Sequence, residues 1–205
     1  MPPPRLSHVL HSFRARVDQN RNLISYFEGL HLARNKIEMV TEIAFLRVFM
    51  AWEDFLEESF VRYVSGAVSP SGYKPKRLVS AVGVEAARLL LCGGRTRTYV
   101  RWYSASEVID RVNAYFVDGG SYLPVIESIT TDLDEMNTIR NRIAHESKIS
   151  RGNFESLVRH KIGSGIKGMT PGRFLAGDTP KTKPKMRFFD HYSGILDNAG
   201  RMIIP

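Results

Sequence analysis

The stretch NTIRNRIAHES, residues 137 to 147, brings together three groups suited to work on a phosphate ester: Arg140, Asn141 and His145. An imidazole changes protonation near neutral pH and can therefore move protons. A guanidinium stays cationic and forks onto phosphate oxygens. An amide between them can orient either group. An α-helix turns about 100° per residue, so Asn141 and His145, four apart, lie within roughly 40° of each other. Leu133, Met136, Ile139 and Ile143 form the apolar stripe of the same helix, and Asn141 and His145 fall roughly 120–160° from Ile139 and Ile143. Arg140 lies roughly 60° from Ile143, and its length lets it reach past its own turn. A lone histidine is most often a structural or surface residue. A satisfied core histidine does not suit His145, which faces away from the stripe. Solvated surface and burial against a second subunit both stay open. Arg142, about 200° from Arg140 on the wheel, is a phosphate contact or plain surface.

Other chemistries have less support. The single cysteine, Cys92, excludes an intrachain disulfide and a site built on several thiolates, and it fits a reducing cytoplasm. His8, His11, His31, His160 and His191 share no metal-ligand spacing, so no metal is expected. The sequence shows no sign of a cofactor. Glu53 and Glu57 form an i,i+4 pair beside Trp52 and read as a solvated acidic face.

The elements that must position these groups read as helices, with no strand alternation or hairpin signal. A first helix is expected from about Pro4 to Gly29, with Asn20 and Asn22 as possible breaks. The clearest element runs from about Leu32 to Ser65. Phe45, Val48, Phe49, Trp52, Phe55, Leu56, Phe60 and Tyr63 recur there at helical spacing. Its length suits the spine of a bundle or a dimer interface. A shorter helix covers Val82 to Cys92 and stops at Gly93-Gly94. Another starts near Ser104 or Ser106, where Ser104-x-x-Glu107 reads as a capping box, and ends at Asp118-Gly-Gly. Residues 67–122 thus form a two-helix insertion. Thr131, with Asp132, Asp134 and Glu135, starts the motif helix. After Ser150-Arg-Gly come a short helix over Asn153 to Ile162, a basic loop or arm over 163–186, and a last helix from Arg187 to about Met202. The expectation is an all-α chain forming a single domain over 1–205.

The most apolar segment, IAFLRVFMAW, is interrupted by Arg47 and closed by Glu53 and Asp54, too short and charged to cross a bilayer. With no leader-like h-region at the start, a cytoplasmic protein away from the membrane is expected. The formal net charge of +8 and pI of about 9.7 suggest an acidic partner, nucleic acid being the commonest. From Arg151 to Arg187 there are nine Lys/Arg against Glu155 and Asp178, and residues 62–101 carry eight cations against Glu85. Tyr73, Tyr99, Trp102 and Tyr103 are interleaved there, as stacking platforms or as core.

Arg140-Asn141-x-x-x-His145 resembles the R-x4–6-H motif of HEPN-superfamily ribonucleases, which commonly carry a polar residue after the arginine. AWEDFLEES (51–59) is similar to the second-helix signature of the RiboL-PSP-HEPN group. MTPGRFL (169–175) and FFDHYSGILDNAGRMI (188–203) are similar to that group as well, so the resemblance covers about residues 30–203. It implies a HEPN-like helical bundle with a long central helix, and a metal-independent endoribonuclease. In that role His145 is the acid/base, Arg140 stabilises transition-state charge and Asn141 orients either one. Glu53 would hold the Arg140 guanidinium, and Arg142 would support. The resemblance further implies a homodimer whose two motifs face each other across a two-fold axis, an RNA substrate, and products with a 2′,3′-cyclic phosphate and a 5′-hydroxyl. A toxin or anti-phage growth-arrest effector, restrained by an antitoxin or sensor protein, is the corresponding role. The alternative is a non-catalytic HEPN-like module that dimerises and binds RNA or protein. A helical DNA-binding protein ranks last, because no helix-turn-helix with a polar recognition face stands out.

Overall fold

The computed structural model describes residues 5–93, 100–163, 167–180 and 185–205. The expected start at Pro4, the stop at Gly94 and the ring of Tyr99 lie outside these residues, as do Arg95, Arg97, Lys181 and Lys183. The chain is all-helical. Among the described residues the elements are α1 (Leu6–Gly29), α2 (Arg34–Val64), α3 (Val84–Leu91), α4 (Ala105–Tyr115), a 3-10 turn (Val117–Gly119), α5 (Tyr122–Ser128), α6 (Thr130–Ala144), α7 (Lys148–Ile162), α8 (Pro171–Ala176) and α9 (Phe188–Ile203). Only two isolated β-bridges occur among them, Arg77 with Phe116 and Asp178 with Arg187. None of these helices is long and apolar enough to cross a membrane.

The contacts divide the chain into two compact units, one of residues 1–14, 51–133 and 197–205, the other of 15–50 and 134–196. Helices α1, α2, α6 and α9 therefore each contribute residues to both.

In the first unit an aromatic core forms around the second half of α2. Phe60 lies 5.2 to 5.3 Å from the rings of Trp102, Tyr115 and Phe116, and Phe116 stacks on Tyr122. Buried Tyr122 donates its hydroxyl to Ser59 Oγ at 2.7 Å, so its polar end is not stranded. Trp102 is core, 3% exposed, donating Nε1–H to Glu57 Oε2, with the Arg111 guanidinium 4.5 Å above the ring. It is therefore not an open stacking platform. Arg88 bonds Glu57 and Glu58, and Arg62 also bonds Glu58. Burial alone would raise the Glu58 carboxyl, but the two guanidiniums outweigh it and hold the group below its ordinary value. Much of the basic character of residues 62–101 is thus engaged locally: Arg77 donates to the Val64 carbonyl, and Arg101 faces Glu107 at 3.6 Å.

The second unit gathers the first half of α2 with Phe45, Val48 and Phe49, the later turns of α1, and α6 to α9. Rings run in series from Phe154 to Phe174, Phe188, Tyr192 and Phe45, with Phe174 and Phe188 stacked at 4.2 Å. Arg187, just before α9, bonds Asp190 and Glu28, and Arg21 within α1 bonds Ser193 within α9.

Several expectations change. Asn20 does not break α1: its side-chain amide donates to the Arg16 carbonyl four residues back, keeping the helix continuous. Ser104 does cap α4 by position, but its hydroxyl pairs with Ser106 Oγ and no capping bond forms. Helix α5 was not foreseen. It has seven residues and follows a reversal in which Asp118, Gly119 and Gly120 all take positive φ. Thr131 does not open the motif helix, which begins at Thr130, with that hydroxyl bonded back to the Ile126 carbonyl of α5. Within the expected loop over 163–186, residues 164–166 and 181–184 lie outside the described ones, and the rest contains α8, capped by Thr170 with Pro171 at its first position.

Candidate active site

Helix α6 carries the motif at its C-terminal end. Leu133, Met136 and Ile139 are buried, but Ile143 is only half-buried, so the apolar stripe stops one turn before the helix does. Glu135, 7% exposed, anchors the helix: it accepts from the Tyr192 hydroxyl at 3.0 Å and pairs with Lys161 at 2.7 Å. A buried carboxylate held this way by α7 and α9 fixes the rotation of α6. The last turn can then present polar groups.

Arg140 and Asn141 are half-buried, and Arg140 Nη1 donates to Asn141 Oδ1 at 3.0 Å. Adjacent helical residues point about 100° apart. The long arginine side chain closes that gap, and the amide fixes one edge of the guanidinium.

His145 is exposed and sits one residue beyond α6, its amide still bonded to the Asn141 carbonyl at 3.0 Å. Its own carbonyl accepts twice, from Ser150 Oγ at 2.7 Å and from Arg142 Nη1 at 3.2 Å. Ser147 caps α7 by accepting from the Ser150 amide at 3.1 Å. The α6–α7 turn is therefore a closed hydrogen-bonded knot, with the imidazole projecting from it. Here the expected break at Ser150-Arg-Gly fails, because Ser150 lies in the first turn of α7, which starts at Lys148 rather than Asn153. The signal was present: Ser147 followed three residues later by Ser150 is a usable cap. Arg142 is half-buried, and its bond to the histidine carbonyl gives it a bracing contact within the motif.

Nearby in the same unit, the Gly172 amide donates to Glu42 at 2.8 Å, and the Thr170 hydroxyl donates to Glu38. Burial, together with the adjacent Glu38 carboxylate, raises the Glu42 carboxyl, against the lowering effects of the Gly172 N–H and of Arg142. Arg142 thus adds positive potential to this side of α2.

The other expected site residue, Glu53, is half-buried on the part of α2 that belongs to the first unit. Its i,i+4 companion Glu57 is no solvated acid: it accepts from Arg88 and Trp102.

Sequence reasoning treated Arg151, Arg159 and Lys167 only as part of a charge count. In the structure they line one cavity of about 540 Å³ together with Arg142. The density of cations between Arg151 and Arg187 was the signal. Searches against protein-family models, curated proteins and solved structures return no match to this chain.

Proposed function

We propose that this chain is a metal-independent endoribonuclease of the HEPN type that works as a homodimer. The observation that carries this reading is the Arg140–Asn141 hydrogen bond one turn from the exposed imidazole of His145. An arginine oriented by its neighbour beside an accessible histidine is the pair needed for charge stabilisation and proton transfer at a phosphodiester. In the reaction, the ribose 2′-oxygen loses its proton and forms a bond to phosphorus. The bond from phosphorus to the 5′-oxygen breaks, and that oxygen takes up a proton. The products carry a 2′,3′-cyclic phosphate and a 5′-hydroxyl. One histidine cannot take the first proton and deliver the second in the same step, so a second copy of the chain supplies the other imidazole. A toxin or growth-arrest role, held in check by an antitoxin or sensor protein, is the setting that suits such an activity.

The test is cleavage of single-stranded RNA in the presence of a chelator, with the 5′-hydroxyl product identified. Wild type should cut, while His145→Ala and Arg140→Ala should each lose about 10²–10³-fold in kcat. Cutting by both variants at the wild-type rate would sink the site. Wild-type protein that binds RNA but never cuts it would move the assignment to a non-catalytic binding module.

A further inference from the structure

The cavity beside the motif has a composition that the cleavage chemistry leaves unused. Its walls come from α7, from the turn Lys167–Thr170 and from Arg142 of α6. Four cations line it, Arg142, Arg151, Arg159 and Lys167, against one acid, Glu155. Among the described residues, none of the four is in an ion pair with a carboxylate. That sets them apart from other cations of the same basic stretch, since Lys161 is paired with Glu135 and Arg187 with Asp190. Four cations grouped around a concavity with one acid among them leave a net positive potential that favours an anion there.

Size and lining narrow the ligand. At about 540 Å³ the cavity falls within the range of about 300–1,000 Å³ usual for small-ligand sites. Half-buried Met169 forms an apolar part of the wall, backed by the buried Phe154 and Val158. An inorganic anion would leave that part uncovered, whereas a sugar and base would cover it. Arg151 and Arg159 stand eight residues apart on α7, about 12 Å along the helix axis. That is more than the oxygens of one phosphate span, so the two arginines suit two separate phosphates of one chain.

We propose that this cavity is a subsite for single-stranded RNA, in which Arg151 and Arg159 hold two phosphates of one strand and one nucleoside lies against Met169. Arg142 connects it to the motif, because the same guanidinium that lines the cavity donates to the His145 carbonyl at 3.2 Å. A strand seated in the subsite therefore lies beside the turn that carries His145. This assignment rests on the endoribonuclease reading for its direction, while the binding itself is measurable without cleavage.

The experiment uses the full chain carrying His145→Ala, so that the probe survives, and follows binding of a labelled short single-stranded RNA by fluorescence anisotropy. Arg151 and Arg159 are exposed, and replacing both with alanine should weaken binding roughly tenfold and lower the slope of log affinity against log salt by about 0.7 per cation removed. The double lysine variant, which keeps the charge, should recover most of the affinity, and matched thermal melts show that each variant is folded. In an otherwise wild-type chain the alanine pair should raise KM for RNA cleavage far more than it lowers kcat. Unchanged RNA affinity and slope in the folded alanine pair overturn the subsite. So does a pair of variants that loses binding of 5′-AMP but holds RNA as before, since the cavity would then belong to a free nucleotide. If wild type never cuts RNA yet the alanine pair loses RNA affinity, the subsite stands and the cleavage reading falls. If wild type cuts and the pair leaves KM unmoved, the reverse holds.

Discussion

At the scale of single residues, the site depends on small polar groups that hold larger ones in place. Asn141 gives the Arg140 guanidinium a fixed edge, and Ser150 holds the carbonyl of the residue that carries the imidazole. Replacing Ser150 by alanine removes the 2.7 Å bond and the hydroxyl's bonds with the Ser147 carbonyl and Ser147 Oγ, but leaves the Ser147 cap, whose donor is a backbone amide. The cost to stability should be about 1 kcal/mol, read as a lower denaturation midpoint. The loss in kcat should be larger than that predicts, with KM little changed, because His145 is no longer held at its angle. Ser150→Thr, which keeps the hydroxyl, should restore kcat. A Ser150→Ala variant with full kcat would remove Ser150 from the positioning apparatus.

At the scale of elements, close approach matters more than propensity. Helix α8 is only six residues long and cannot be stable alone. It is held because Gly172 seats directly on α2, where a Cβ would come within 2.2 Å of the Glu38 carbonyl oxygen. That carbonyl is backbone and cannot swing aside. Gly172→Ala should therefore displace α8 from α2, loosen the Gly172 N–H bond to Glu42, and cost about 1–3 kcal/mol. Equilibrium denaturation measures it, and a variant as stable as wild type would show that the contact is softer than its geometry. The Lys167–Thr170 turn of the cavity leads into α8, so RNA affinity should fall in the same variant.

At the scale of the whole molecule, one net charge conceals two different charge economies. In the first unit Arg62 and Arg88 are engaged with Glu57 and Glu58, and Arg77 with a backbone carbonyl, whereas four cations of the second unit line a cavity without a carboxylate ion pair among the described residues. The dimer that the proposed reaction requires also belongs to this scale. If each active site needs both copies, specific activity should fall on dilution through the dimer dissociation constant, in step with the mass from light scattering. A monomer that retains full activity would rule out the composite site.

The sequence by itself determined the helical class, the long α2 spine and the exposed end of the motif helix, because apolar spacing and local angle are properties of the chain alone. The wheel put Asn141 and His145 away from Ile139 and Ile143, of which Ile139 is buried and Ile143 half-buried. What it did not reveal depends on partners distant along the chain. The short helices α5 and α8 have too few residues to show a period and are held by packing, with Gly172 against Glu38 as the clearest case. Trp102 is core rather than platform because Glu57 of α2 and Arg111 of α4 meet it there. Likewise only tertiary structure decides which cations face carboxylates and which face a cavity. Ion pairing is set by distance in space, and composition records no distances.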